Sequence, residues 1–245
     1  MRLTATILTA QFQCGWMRHV MYAARVPLPV LGTARRFGNA LHAAREAFEK
    51  RGRSLDAAAE VLNRYAGGMT PEDLTEAREI LAWIHDRSRG REGHPLLIEG
   101  PLRTAVAGHR LDVRLDRLDR VGEEMVLVEY KTGRRTELEP VRAQLRILSY
   151  AVWSIFGQPP ARWEVEFLRA RRVVDLPAET DPRVLERFTA DLARSVARGD
   201  RDPRPHDSGF CRRCAARPYC PRGGQSPKPL PDPPRREEAQ LPLFR

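Results

Sequence analysis

Nowhere in this 245-residue chain is there a run approaching the roughly 18 to 20 apolar residues of a membrane-spanning helix. The opening stretch MRLTATILTAQFQC has no apolar signal core, so a soluble, cytoplasmic protein is expected. There is no G-x-x-x-x-G-K-S/T loop, which excludes the phosphate cradle of a P-loop motor, and no internal repeat. Acidic residues are in deficit: 32 Asp and Glu stand against 42 Lys and Arg, leaving a formal charge of +10. That balance favours a polyanionic partner, nucleic acid ahead of an anionic membrane. Cysteine is scarce, at four residues, and in a reducing compartment two structural disulfides are not their expected use.

The composition is otherwise globular, with 42% hydrophobic and 30% charged residues, and the length suits one large domain or one domain with a small appendage. The stretch through Tyr22 reads as loop and helix, and ARRFGNALHAAREAFEKRG from Ala34 as a helix with His42 and Glu46 one turn apart. A further helix starts at Thr70, an N-cap followed by Pro71, Glu72 and Asp73. From Pro95 the period changes to that of strands, with turn residues expected at Gly100, Gly108, Gly122 and Gly133. After this sheet come a helix ending at Gly157, a hairpin in RWEVEFLRARRVVDLP, and an amphipathic helix opened by Asp181 and Pro182. Residues 223–245 are rich in proline and charge and are expected to be a flexible tail.

The stretch VLVEYKTGR, residues 126–134, places Glu129 and Lys131 on one face of a strand and Tyr130 on the other, because side chains alternate. The aliphatic residues before them occupy both faces, the pattern of a strand covered on both sides, where a charged pair needs a partner or a task. Thirteen residues earlier lies Asp116, and a turn at Gly122 would fold its strand back beside Glu129. Two carboxylates held together repel unless a cation joins them, and Mg²⁺ suits such a pair because it keeps positions for water and phosphate. Lys131 would then stand where it can orient a nucleophile or stabilise developing negative charge. Asp112 and Asp119 are nearby alternatives to Asp116.

LDRLDRVGEEMVLVEYKTG resembles the core of the PD-(D/E)XK nuclease superfamily, in its RecB-like branch. The resemblance implies an α/β fold, a restriction-endonuclease-like core with a central mixed sheet flanked by helices, spanning residues 1–222 with a helical insertion at about 45–93. By position it implies that Asp116 and Glu129 bind Mg²⁺ or Mn²⁺, that Lys131 is the active-site lysine, and that the backbone carbonyl of Tyr130 is a further ligand. The upstream G-x-x-x-H of that branch is matched by Gly38 and His42, which makes His42 an additional metal ligand. Gln144 resembles the glutamine of a Q-x-x-x-Y motif along the DNA path, although Leu148 stands where the tyrosine would be and the tyrosine is Tyr150.

Cys211, Cys214 and Cys220 form C-x2-C-x5-C, and Cys14 lies nearly two hundred residues earlier. Four thiolates can hold zinc or a 4Fe-4S cluster. The arrangement resembles the iron-sulfur clamp of AddB-type nuclease domains and of CRISPR adaptation nucleases, in which the cluster joins the chain ends. The chain closes with EEAQLPLFR, and Gln240–Phe244 resembles the Q-L-x-L-F peptide by which bacterial proteins dock on the replication sliding clamp. The resulting expectation is a metal-dependent DNA exonuclease of repair or recombination, acting on single-stranded or frayed ends, with a helicase as a further partner. The alternatives are a CRISPR adaptation nuclease that trims spacer precursors and a non-catalytic DNA-binding subunit that keeps the fold.

Overall fold

The computed structural model describes residues 1–26, 32–134, 136–202, 210–223 and 226–230. The peptide Gln240–Phe244 lies outside them. The centre of the sheet is a long strand, β3 (His109–Val121), joined to β2 (His94–Val106) by a tight turn. Both turn residues, Ala107 and Gly108, have positive φ, 49° and 75°, the geometry whose twist matches that of the flanking strands. Along one edge β3 pairs with antiparallel β2; along the other it is shared between two partners. β1 (Arg2–Thr4) pairs in parallel at Arg110–Asp112, and β4 (Glu124–Lys131) pairs antiparallel at Arg117–Val121. Beyond β4 come parallel β5 (Arg162–Phe167) and antiparallel β6 (Arg172–Pro177), so the sheet is mixed, as expected.

Helices cover both faces. Met125 and Leu127 of β4 enter one core with α1 (Ala5–Gln13), α6 (Glu139–Phe156) and α7 (Pro182–Ala197). Val126, Val128 and Tyr130 enter a second core with α3 (Gly32–Lys50), α4 (Leu55–Tyr65) and α5 (Pro71–Ser88). This two-sided burial explains why the strand reads as an unbroken aliphatic run. The local start and stop signals act as expected. Thr70 accepts a hydrogen bond from the Asp73 N–H at 3.1 Å, Asp181 accepts one from Arg183 at 2.8 Å, and Gly157 ends α6 with φ 78°.

Between α3, α5 and the sheet lies a buried layer of charge. Arg45 binds both oxygens of Glu166 at 2.5 and 3.2 Å, and its guanidinium stacks 3.8 Å from the Tyr130 ring centroid. Arg91 joins Asp119, Glu164 and Glu166 at 3.1, 2.9 and 2.8 Å. Arg117, fully buried, pairs with Asp119 at 2.5 Å and with Glu49 on α3. Buried charges persist only when paired, and each of these guanidiniums meets at least two carboxylates.

Two details depart from the sequence reading. β1 is a three-residue strand too short to carry a period, and it precedes the first helix. Gly100 is not a turn residue: it lies inside β2, where the Leu97 side chain would come within 3.0–3.3 Å of any Cβ placed on it, so glycine serves close packing there.

Replacing Arg117 by Met should leave Asp119 with Arg91 alone and Glu49 with only the longer Arg45 and Arg53 contacts, at 3.7 and 3.8 Å, and cost about 3 to 5 kcal/mol. Urea unfolding checks this; a loss below about 1 kcal/mol would show that the layer contributes little to stability.

Candidate active site

The site forms where the sheet forks. The β3–β4 ladder stops at Arg117 opposite Val128, while β4 runs on beside β5 to Lys131. The Tyr130 N–H, left without a β3 carbonyl, donates to Asp116 Oδ2 at 2.7 Å in a buried bond. The same level of the sheet is irregular on its other side. Leu115 and Leu118 pack into one core, as do Leu97 and Leu102, although alternation would send each pair to opposite faces. Both strands therefore change face between those residues. Glu99 lies in that interval with φ 49°, a left-handed conformation that costs a non-glycine residue about 1 to 3 kcal/mol. The flanking pairs, Ile98 with Arg117 and Gly100 with Leu115, set Glu99 across from Asp116.

His42, on α3, meets both carboxylates. Its Nδ1 lies 2.8 Å from Glu99 Oε1 and 3.4 Å from Asp116 Oδ1. On the α6 side of β4 a second group closes as a triangle. Lys131 Nζ donates to Glu129 Oε1 and to Gln144 Oε1, each at 2.7 Å, and Gln144 Nε2 donates to Glu129 Oε1 at 2.8 Å. The structure thus brings together His42, Asp116, Glu129, Lys131 and Gln144. It also places Tyr130 between the two groups, with its ring in the opposite core.

Glu99 is the site residue that sequence reasoning missed. It is buried, and its Oε2 accepts from Arg114 Nε at 2.7 Å. Its only sequence signal is a lone carboxylate in the otherwise apolar LLIEGPL. The alternatives to Asp116 are spent elsewhere: Asp112 pairs with Arg2 and Arg110, and Asp119 belongs to the buried charge layer. Tyr150 donates from its hydroxyl to the Ala105 carbonyl at 2.6 Å and packs in the core, away from Gln144's partners.

The electrostatics follow from this crowding. Burial and then the Glu129 charge push the Asp116 carboxyl up to about 7, against the pull of His42. Burial opposes a charged His42, but Asp116 and Glu99 outweigh it and hold the imidazole up at about 9. Burial would raise Glu99, yet His42 and Arg114 keep it below the usual carboxylate range. One imidazole nitrogen and two carboxylate oxygens lie within 4.8 Å of one another, a mixed donor set whose oxygens suit Mg²⁺ or Mn²⁺ and whose imidazole is the softer ligand.

The glycine of G-x-x-x-H has a steric reason. A Cβ on Gly38 would lie 2.9 Å from Thr132 Oγ1, just past Lys131, so the missing side chain lets α3 approach the end of β4.

Away from this site, Cys14 of the N-terminal segment meets Cys214 of the C-terminal segment in a small separate core. Cys14 is buried and caps α2 (Gly15–Arg18), accepting from the Met17 N–H at 3.5 Å. Cys14, Cys214 and Tyr219 share a small core, and Trp16 Nε1 donates to the Tyr219 carbonyl at 3.0 Å. Burial pushes the Cys214 thiol up, a backbone hydrogen bond at Ala216 opposes this, and Cys14, Cys211 and Cys220 raise it further. Among the described residues no three sulfurs approach within 4.8 Å of one another. That is wider than the roughly 3.8 Å between thiolates around a single zinc.

A forked mixed sheet that brings carboxylates, a lysine and a helical histidine together is an arrangement that could hold a divalent cation and position a water. Comparison with known proteins makes this specific. The family model of the PD-(D/E)XK nuclease superfamily matches residues 2–221, and the chain belongs to that superfamily. Among solved structures, a Eubacterium rectale protein assigned as an exonuclease has 11% identity and a TM-score of 0.53, covering 93% of this chain and 90% of its own. A structure of SSO0001 has 13% identity and a TM-score of 0.41, with 90% and 86% covered. No curated protein matches.

Gly to Ala inside a helix ordinarily gains about 0.5 to 1 kcal/mol. At Gly38 the clash with Thr132 should turn that gain into a loss, and the double variant Gly38→Ala with Thr132→Ala should recover it. Thermal unfolding of the three variants decides; a single Gly38→Ala more stable than the parent would remove the steric account.

Proposed function

We propose that this chain is a stand-alone RecB-like nuclease that hydrolyses DNA from single-stranded or frayed ends in repair or recombination. The observation that carries the reading is the Glu129, Lys131, Gln144 triangle set within one β-fork of Asp116 and His42. A metal held by His42, Asp116 and Glu129, with the Tyr130 carbonyl, would neutralise phosphate charge and acidify water when bound. The chain's own residues do the rest. Lys131 keeps its ammonium on the α6 side, where it can donate to a phosphate oxygen or hold the attacking water, while Glu129 and Gln144 fix its direction. Gln144 reaches the site from α6 and bonds both Glu129 and Lys131, so it lies where a strand would pass. The +10 charge favours capture of a polyanion, with binding that weakens steeply as salt rises.

The four cysteines are read as ligands of a structural 4Fe-4S cluster joining Cys14 to the C-terminal segment. The reading is supported by Cys214 lying close enough to Cys14, Cys211 and Cys220 to feel their charge, and four thiolates can hold a cluster or a zinc. The tail peptide Gln240–Phe244 is read as a docking peptide for the sliding clamp, because an apolar pentapeptide after a polar linker can fill a pocket at a distance. A helicase that feeds the strand is read as a further partner.

Lys131→Ala and Asp116→Ala should each abolish Mn²⁺-dependent cleavage of end-labelled single-stranded DNA while DNA retention on a filter persists. Cleavage surviving in both variants would refute the nuclease assignment. Protein purified without oxygen should be brown with broad visible absorbance, and a colourless preparation with one zinc per chain would refute the cluster.

A further inference from the structure

We infer that the open face of β1, β2 and β3 is the track along which the backbone of a DNA strand runs into the site, gripped by Arg2, Arg103 and Arg110 with Arg114 at its inner end. The inference rests on the nuclease reading for the strand and assigns the surface that carries it.

The strands set the geometry. On one face of this part of the sheet Leu3, Leu102, Val106, Leu111, Val113 and Leu115 enter the core with α1, α6 and α7. Side chains alternate, so the positions between them point the other way. There Arg2, Arg103, Arg110 and Arg114 are exposed and Asp112 is half-buried. Pro101 and Ala105, also exposed, are short and keep the surface shallow. A sheet can leave one face to water, with arginine stems lying along it.

The register gathers the cations. Arg2 stands beside Arg110, and Arg103 beside Asp112. Arg110 Nε donates to Asp112 Oδ1 at 2.7 Å, and Arg2 Nε lies 2.6 Å from Oδ2. The Arg110 hydrogen bond holds Asp112 below the usual carboxylate range, and the Arg2 and Arg103 charges add to it. Three guanidiniums therefore share one carboxylate, which cannot balance them. Exposed ion pairs of this kind contribute at most about 1 kcal/mol, so a phosphate can take the arginines over.

The row also has a direction. Positions on one face recur about every 6.7 Å, close to the distance between successive phosphates of an extended single strand. From Arg110 to Asp116 the face runs about 20 Å, room for about three phosphates. Arg114 lies between, its Nε donating to Glu99 Oε2 at 2.7 Å and its Nη2 3.4 Å from Glu46 on α3. The arginines thus run without a break into the His42, Glu99 and Asp116 group, which favours a strand that continues into the site over a lipid surface.

The test removes the track but spares Arg114, which touches the site. Arg2→Ala, Arg103→Ala and Arg110→Ala are combined in one variant. Arg183→Ala, Arg187→Ala and Arg194→Ala are combined in a second, on α7, which packs against the opposite face. Binding of a fluorescent single-stranded oligonucleotide to the full chain is read by anisotropy, without divalent metal, over a range of salt. The track variant should bind at least fivefold more weakly at low salt, a greater loss than in the α7 variant. Its salt slope should lessen by about 2, since each phosphate contact to a single strand contributes about 0.7. If the track variant does not fold, Asp112→Asn decides with the opposite sign: freeing the arginines should tighten binding at least twofold, and more than Asp191→Asn on α7 does. A smaller loss in the track variant, an equal loss in the α7 variant, or, where Asp112→Asn is used, a smaller gain overturns the inference. Binding to phosphatidylserine vesicles that is lost in the track variant while oligonucleotide binding persists overturns it too, and gives the face to a membrane. A parent protein that neither binds the oligonucleotide nor cleaves DNA with Mn²⁺ overturns the nuclease reading instead, which keeps the two failures distinct.

Discussion

The buried hydrogen bond from the Tyr130 N–H to Asp116 Oδ2 is the contact on which the rest of the site depends. It closes the gap left when β4 parts from β3, where an unpaired amide would otherwise cost about 1 to 3 kcal/mol. Because it fixes the backbone between Glu129 and Lys131, it aims both side chains toward α6 and Gln144. Because it uses one oxygen of Asp116, it leaves the other turned toward His42. A single bond thus completes the sheet and divides the site into its two groups.

Tyr130 is held from the opposite side as well. Its ring lies under the Arg45 guanidinium, which is itself fixed by Glu166 on β5. Gly38, His42 and Arg45 fall on one face of α3 by their spacing. Gly38 meets Thr132, His42 meets Glu99 and Asp116, and Arg45 meets Tyr130 and Glu166. The helix is therefore registered against the sheet at three successive levels, with the histidine at the middle one. The buried charge layer, costly as a means of stability, acts here as a means of placement.

What could be read from the sequence was what is local. Glu129 and Lys131 share a face by the two-residue period, Thr70 and Asp181 cap their helices, and Gly157 stops α6, all within a few residues. Asp116 was legible through its distance from Glu129 across one turn. Glu99 was not, because its direction depends on a face change shared by two strands and on a left-handed backbone that no neighbouring residue announces. Gly100 was misread for the same reason: beside such an irregularity glycine serves close packing, and a turn signal and a packing signal look alike in one dimension. Gln144 was expected both along the DNA path and among the catalytic residues, and it hydrogen-bonds Lys131 and Glu129.

The site is also balanced by the chain alone. Glu99 is matched by Arg114, Asp116 by His42, and Glu129 by Lys131, so each buried acid has a cation of its own. Acids paired in this way can be buried at tolerable cost, which is why three of them stand together in a protein whose folding energy is small. Metal-templated modules differ, since their ligands come together only when the ion arrives. Here folding itself assembles the group, with Glu99 Oε2 held by Arg114 and Asp116 Oδ2 by the Tyr130 N–H, while the other oxygen of each acid faces His42. The positions of these side chains are thus fixed by packing and backbone bonds, the kind of preorganisation a positioned reaction requires.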